Sequence, residues 1–308
     1  MELAYDVGVN VIIIFILMAV GFGLQKLNFF TKEGIKQMTN FLLNVVSPCV
    51  LIEAYQKEFQ KELVFQLSSA ALFTVVILSI SAVVVNLMFK KEPLNRYRID
   101  RFASIYSNCG FMAIPLLSST LGSDGVFFGS GYLAVFTLFY WTQGIYVMTE
   151  NKKDLSIKKA LMTPGIIGAL IALVLFFTGI KLPYVVGQSV HHLANLNTPV
   201  SMVILGTYLV NIDFKTVFKN LSLIKVCFTR LILIPIISLF VAVIIHLDPS
   251  VAKAVLISSA CPTAAVTTLF ATKFNLDADY SSQLVSVTTL LSVVTIPLII
   301  VISSFVIK

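Results

Sequence analysis

Two stretches hold residue types that a lipid-buried chain tolerates only for a reason. One is Ser107-Asn108-Cys109-Gly110-Phe111-Met112-Ala113-Ile114-Pro115; the other is Ser258-Ser259-Ala260-Cys261-Pro262-Thr263-Ala264-Ala265-Val266-Thr267-Thr268. Each lies in an otherwise apolar segment long enough to cross a bilayer. Proline removes an amide donor and frees a carbonyl, and no water in hydrocarbon can satisfy it. A helix broken at such a place exposes amides at the start of its second half and carbonyls at the end of its first. The macrodipole makes the former end partly positive and the latter partly negative. Two breaks that meet would therefore converge two positive ends on one point, a site for a carboxylate or other small anion. Gly110 permits close backbone approach, and the Asn108 amide can donate or accept a hydrogen bond. Ser107, Ser259 and Thr263 are the polar neighbours of the two prolines. The competing reading is that Pro115 and Pro262 only kink their helices. Pro164, Pro235 and Pro297 are read as ordinary: Pro164 suits a first helical turn, and the other two lack polar neighbours.

A second pair of motifs has the same form. Asn44-Val45-Val46-Ser47-Pro48 and Asn195-Leu196-Asn197-Thr198-Pro199 both fit Asn-x-x-[Ser/Thr]-Pro. Asn44, Ser47, Asn195 and Thr198 either face the same site or serve as interhelical hydrogen-bond glue. Gln143, in the cluster Tyr140-Trp141-Thr142-Gln143, is a further candidate for a cavity, because interface anchoring accounts for the aromatics only. Arg230 is the deepest charge, and it reads equally as an anion attractor or as a residue snorkelling to the inner interface. Adjacent His191 and His192 point about 100° apart on a helix, so they are not read as a metal pair. Cys49, Cys109, Cys227 and Cys261 have no short-spaced partner and read as packing residues. No metal, cofactor, nucleophile–base pair or phosphate loop is expected, and the chain is not read as an enzyme.

The elements that must position these residues follow from composition. Of 308 residues, 57% are hydrophobic and 12% charged, which excludes an ordinary soluble domain. Apolar runs of about 20 residues recur throughout, the length needed to cross about 30 Å of hydrocarbon. Ten spans are drawn at 7–27, 35–55, 63–89, 100–120 and 125–148, then 160–181, 188–211, 220–246, 251–273 and 281–306. The first is preceded by Glu2 and Asp6 and is too long for a signal-peptide core, so it reads as retained. The net charge of +7 is explained by orientation rather than by nucleic acid. Lys90, Lys91, Arg96, Arg98, Arg101, Lys152, Lys153, Lys215 and Lys219 fall with most other basic residues on one side. Lys57, Lys61, Lys181, Lys253 and Lys308 fall on the other, so both termini are expected outside. Acidic residues, among them Glu53, Asp100, Asp124, Glu150, Asp213, Asp248 and Asp277, sit at span ends or in loops. Cation exchangers need a carboxylate at membrane depth, so this pattern favours an anionic substrate.

Five spans per half give the halves opposite orientations. Pro48 and Pro199 lie 151 positions apart, Pro115 and Pro262 147 apart, as a duplicated five-span unit would leave them. The expected fold is an all-α integral membrane protein of ten helices in two inverted five-helix repeats, 1–150 and 151–308, with crossing, proline-broken fourth and ninth helices.

At Ser107-Asn108-x-Gly110-Phe111-Met112-x-x-Pro115-Leu116, with Pro262 and Asn44…Pro48, the chain resembles the auxin efflux carrier family over essentially its whole length. That family includes plant PIN carriers and bacterial malate- or malonate-type permeases. The resemblance implies a plasma-membrane carrier with elevator-like alternating access and a homodimeric assembly. It also implies a scaffold of helices 1, 2, 6 and 7, and a transport domain of helices 3–5 and 8–10. Asn108, Pro115 and Pro262 would line the substrate site, and Ser47 would face it. The segment Glu150–Lys159 is short where the plant carriers usually have a regulatory loop. The expected activity is secondary transport of a small organic anion, such as malate, malonate or an auxin-like acid. The alternatives are a sodium-coupled symporter of the bile-acid type, and a channel or receptor using the same fold.

Overall fold

The computed structural model describes residues 2–92, 96–211 and 220–307. Asp213, Lys215, Lys219 and Lys308 lie outside the described residues. Among the described residues every regular element is a helix, and the one β feature is an isolated antiparallel bridge between Ser107 and Thr263. The helices are α1 (Glu2–Lys26), α2 (Lys32–Ala54), α3 (Lys61–Met88), α4 (Arg96–Ile105), α5 (Cys109–Thr149), α6 (Ile157–Leu161) and α7 (Pro164–Thr178). They continue with α8 (Tyr184–Asn195), α9 (Asn197–Tyr208), α10 (Leu221–Ile244), α11 (Pro249–Ala260), α12 (Val266–Lys273) and α13 (Ala278–Val306). Of the described helices, α2, α3, α5, α10 and α13 are long and apolar enough to cross a membrane. Lys152–Leu161 and Pro164–Thr178, bent by 42°, make a sixth if they form one span.

Helix starts follow local chemistry. Asn220, Asp248 and Asp277 accept hydrogen bonds from the first free amides of α10, α11 and α13, as good N-caps do. Pro164 opens α7, where its missing amide costs nothing. The expected spans 100–120, 188–211 and 251–273 are each divided, into α4 and α5, α8 and α9, and α11 and α12. Helix α5 then runs on into the expected fifth span, turning at Gly122, whose φ of 62° suits a residue without Cβ.

Prolines also explain three of the four π turns. Leu42–Val46, Cys109–Ala113 and Thr229–Leu233 each end just before a proline, Pro48, Pro115 or Pro235. The ring of proline clashes with the carbonyl four residues back, and one extra residue in the turn relieves the clash. Pro235 was read as lacking a polar neighbourhood; the turn before it carries Arg230.

Packing draws the chain into two sets of contacts. Helix α1 lies along α9, and α2 lies against α7 and α8. Gly21 and Gly206 allow the first pair to touch: a Cβ on Gly206 would sit 2.0 Å from the Met18 carbonyl oxygen, and one on Gly21 2.1 Å from that of Val203. Such small-residue contacts let backbones approach where lipid offers no hydrophobic drive. The other set centres on α5, against which α3 and α11 pack, with α13 against α12. At one end of this set Glu150 accepts from Tyr97 (2.8 Å) and pairs with Lys91 (2.7 Å) and Arg98 (2.8 Å).

Candidate functional site

Helix α4 stops at Ile105 and α11 at Ala260, and the chain resumes as helix at Cys109 and Val266. The two interruptions are bonded to each other. The Asn108 amide donates to the Pro262 carbonyl (2.7 Å), and the Ala264 amide donates to the Tyr106 carbonyl (2.9 Å). Backbone groups that a break strips of helical partners thus find partners in the opposite break, the only cheap solution away from water.

Side chains brace the junction. Thr263, fully buried, donates its hydroxyl to the Ala103 carbonyl (3.0 Å), and its amide donates to Thr288 Oγ1 (3.2 Å). The Ser107 and Tyr132 hydroxyls lie 3.0 Å apart. Tyr106 donates to Gln143 Oε1 and lies 3.1 Å from the Phe139 carbonyl oxygen, which ties Gln143 to the first break. The Ser259 hydroxyl is spent on its own helix, at the Leu256 carbonyl.

Arg230 occupies a third kind of place, neither open vestibule nor inner interface. It is fully buried, and its guanidinium donates to the carbonyls of Ser104 (3.1 Å), Ile105 (2.7 Å) and Ser259. These carbonyls lie in the last turns of α4 and α11, where helix acceptors lack amide donors. Burying an unpaired guanidinium would cost several kcal/mol. Two helix carboxyl ends of about −0.5 charge each sum to roughly the one unit that Arg230 carries. The charge is therefore compensated without any carboxylate.

The opposite ends are different. No Asp or Glu occurs between Asp100 and Asp124 or between Asp248 and Asp277, so neither restarting helix carries an acidic residue near its amino end. Buried side-chain atoms that lack hydrogen-bond partners among the described residues include Ser104 Oγ, Asn108 Nδ2, Arg230 Nε and Thr267 Oγ1 at the junction, and Ser47 Oγ and Asn197 Oδ1 on α2 and α9. Native structures leave few such atoms unless a ligand or water serves them. A Cβ on Gly110 would meet nothing within 4 Å, so open space adjoins the first turn after the break. Helix α9, which starts at Asn197, packs on that same turn.

The expected site residues therefore separate into groups. Ser107, Asn108, Ser259, Pro262, Thr263 and Arg230 meet at the bonded breaks, with Gln143 joined through Tyr106. Gly110 lies within the π turn of α5 and Pro115 follows it. Ser47 is buried and Thr198 half-buried. Asn44 and Asn195 are exposed and locally engaged, Asn44 with the Asn40 carbonyl (2.6 Å) and Asn195 with His191 (3.0 Å). His191 in turn lies 2.6 Å from Glu53, across from α2.

Several residues at the junction stand out little in the sequence. Tyr106, Tyr132 and Thr288 look like ordinary span residues, and only the hydroxyl-rich run Ser286 to Thr289 offered a signal. Asp100, expected at a span end, lies within α4, is 2% exposed and accepts from Tyr280 (2.6 Å) and Ser222.

Apolar helices of spanning length, with two interrupted helices bonded at their breaks, define an all-helical, multi-span membrane protein. Residues 6–300 match the family model described as membrane transport protein. The chain belongs to that family, the membrane transport family of the auxin efflux carriers. Among curated proteins none is significantly similar to it.

Proposed function

We propose that this membrane transporter is a secondary carrier for a small organic anion, a mono- or dicarboxylate held at the meeting point of two crossing, broken helices. The observation that carries the reading is the charge layout of the bonded breaks. Their carboxyl ends are matched by Arg230, while their amino ends, about +0.5 each, have no acidic residue beside them in sequence. A carboxylate supplies the missing charge. The unpartnered Asn108 Nδ2 beside the open space at Gly110 supplies a donor for it.

The rest of the reading follows from this site and the family. Ten helices in two inverted repeats fit the matching Asn-x-x-[Ser/Thr]-Pro motifs and the paired breaks. The set α1, α2, α7, α8 and α9 serves as scaffold, and the set around α5, α11 and α13 moves as the elevator. The closest packing, of α1 with α9 and of α2 with α7 and α8 on one side and of α5 with α3 and α11 on the other, supports this division, with α1, α2 and α9 meeting α5 across it. Ser47, Asn197 and Thr198 then present polar groups from the scaffold. The plasma membrane, outside termini and a homodimer come from residue patterns and family alone.

Uptake into proteoliposomes tests the function. A panel of labelled mono- and dicarboxylates should yield one that saturates and is accelerated by the same anion inside. Current that neither saturates nor responds to internal anion would replace the carrier with a channel.

A further inference from the structure

Arg230 does something the anion site does not require. Three carbonyl oxygens from two separate helix ends converge on its guanidinium. Convergent backbone carbonyls at paired helix carboxyl ends are what a bound monovalent cation would use, since hard oxygen ligands and two negative dipole ends favour it. Here that place is filled by a side chain of the protein itself, fully buried and delivered from α10 by the π turn Thr229–Leu233. A covalently attached cation cannot be exchanged with either side of the membrane.

We infer that Arg230 is a built-in counter-cation: it holds the position a coupling ion would otherwise occupy, so transport proceeds without sodium or another bound metal cation. This rests on the anion-carrier reading above. Arg230 is a positioning residue rather than a ligand for the substrate. It keeps α4 and α11 bonded at their breaks, and so keeps the positive ends of α5 and α12 aimed at one point. Among the described residues no acidic side chain is paired with it. The Tyr132 hydroxyl is on Ser107, and the nearest carboxylate along α4, Asp100, is engaged by Tyr280 and Ser222.

Chemical rescue separates this role from simple packing. Removing the side chain leaves three carbonyls without a donor and two uncompensated negative ends. A small guanidinium should bind there and stabilise the fold by mass action. Purified Arg230→Ala should melt well below wild type in choline chloride. It should regain several degrees in millimolar methylguanidinium, a smaller amount in sodium, and nothing in choline, whereas wild type and Asn108→Ala should respond to none of these. In proteoliposomes, wild-type uptake should be equal in sodium and choline. Arg230→Ala should lose more than tenfold in choline and recover most of it with methylguanidinium. Arg230→Lys, which keeps the charge but not the fork of donors, covers the case in which the alanine variant does not fold. It should retain partial, sodium-independent uptake. Wild-type uptake that requires sodium would overturn the inference, and so would an alanine variant indifferent to every cation. The melting arm needs no substrate. A wild type that moves no carboxylate therefore defeats the carrier reading while leaving the cation result to stand or fall separately.

Discussion

The two breaks are built for different work. At the second, around Pro262, the backbone amides and Thr263 are committed within the protein, and the buried Thr267 Oγ1 is the group left without a partner among the described residues. Thr263 uses both its amide and its hydroxyl, and the amides of Ala264, Thr267 and Thr268 all have carbonyl partners. At the first, the Asn108 amide is committed to Pro262, but its side-chain Nδ2 is not, and Gly110 borders open space. On the proposed reading the second break acts mainly as a brace and the first as the face that meets a ligand. On that reading the two breaks need not bind symmetrically: one holds the geometry that the other exploits.

Substitutions can break this division or sharpen it. Asn108→Ala should have the largest effect on affinity. Loss of a hydrogen bond to a charged group, about 1.5–3 kcal/mol, predicts binding weaker by about 10- to 100-fold at an unchanged melting temperature. Wild-type affinity in that variant, read by isothermal titration, would remove Asn108 from the site. Gly110→Val tests the open space. Among the described residues nothing beyond Gly110's own helix lies within 4 Å of the added Cβ, so the fold should hold while a clash of about 1–3 kcal/mol falls on the bound anion alone.

Thr263→Val should do the reverse. It strands the Ala103 carbonyl and deprives the junction of a bond, costing about 1–3 kcal/mol of stability. The intact variant should bind nearly as wild type. Affinity lost as fully as in Asn108→Ala, with no change in melting, would mean the two breaks share the ligand equally. The smallest effect is expected far from both. The bond to Lys91, with help from Tyr97 and Arg98, holds the Glu150 carboxyl below its usual 4.5. A lowered carboxyl contributes stability that is complete above pH 4.5 and fades as pH falls through the lower folded value. Glu150→Gln should therefore flatten the melting curve's pH dependence only on the acid side. Uptake at neutral pH should not change, which would place this cluster outside the transport cycle.

Much of the fold was legible along the chain because lipid imposes a simple rule: apolar runs must be helical, and polar interruptions need partners. Composition alone reached the membrane-helix class, and the stretch from Ser107 to Leu116 reached the family. The details of each break were less legible. Pro115 drew attention to its segment, yet the helix is interrupted at residues 106–108, and the proline instead ends a π turn. Pro235 carries no signal of its own because its immediate neighbours are apolar, although Arg230 lies five positions earlier in the same distortion. Asn44 and Asn195 share a motif with buried Ser47 and half-buried Thr198 but are themselves exposed. Spacing in sequence does not settle which face of a distorted helix turns inward.

By itself the sequence determined that two helices would be interrupted by polar residues, that the chain would live in lipid, and that no acidic residue would lie beside either restart. Those are matters of local chemistry, decided within a few residues. Only the tertiary structure decided what the interruptions bond to and where the deepest charge goes. Asn108 meets Pro262 and Arg230 meets Ser259 across separations that no local pattern encodes. Both contacts exist because backbone groups cut off from water must be satisfied by whatever the fold brings to them.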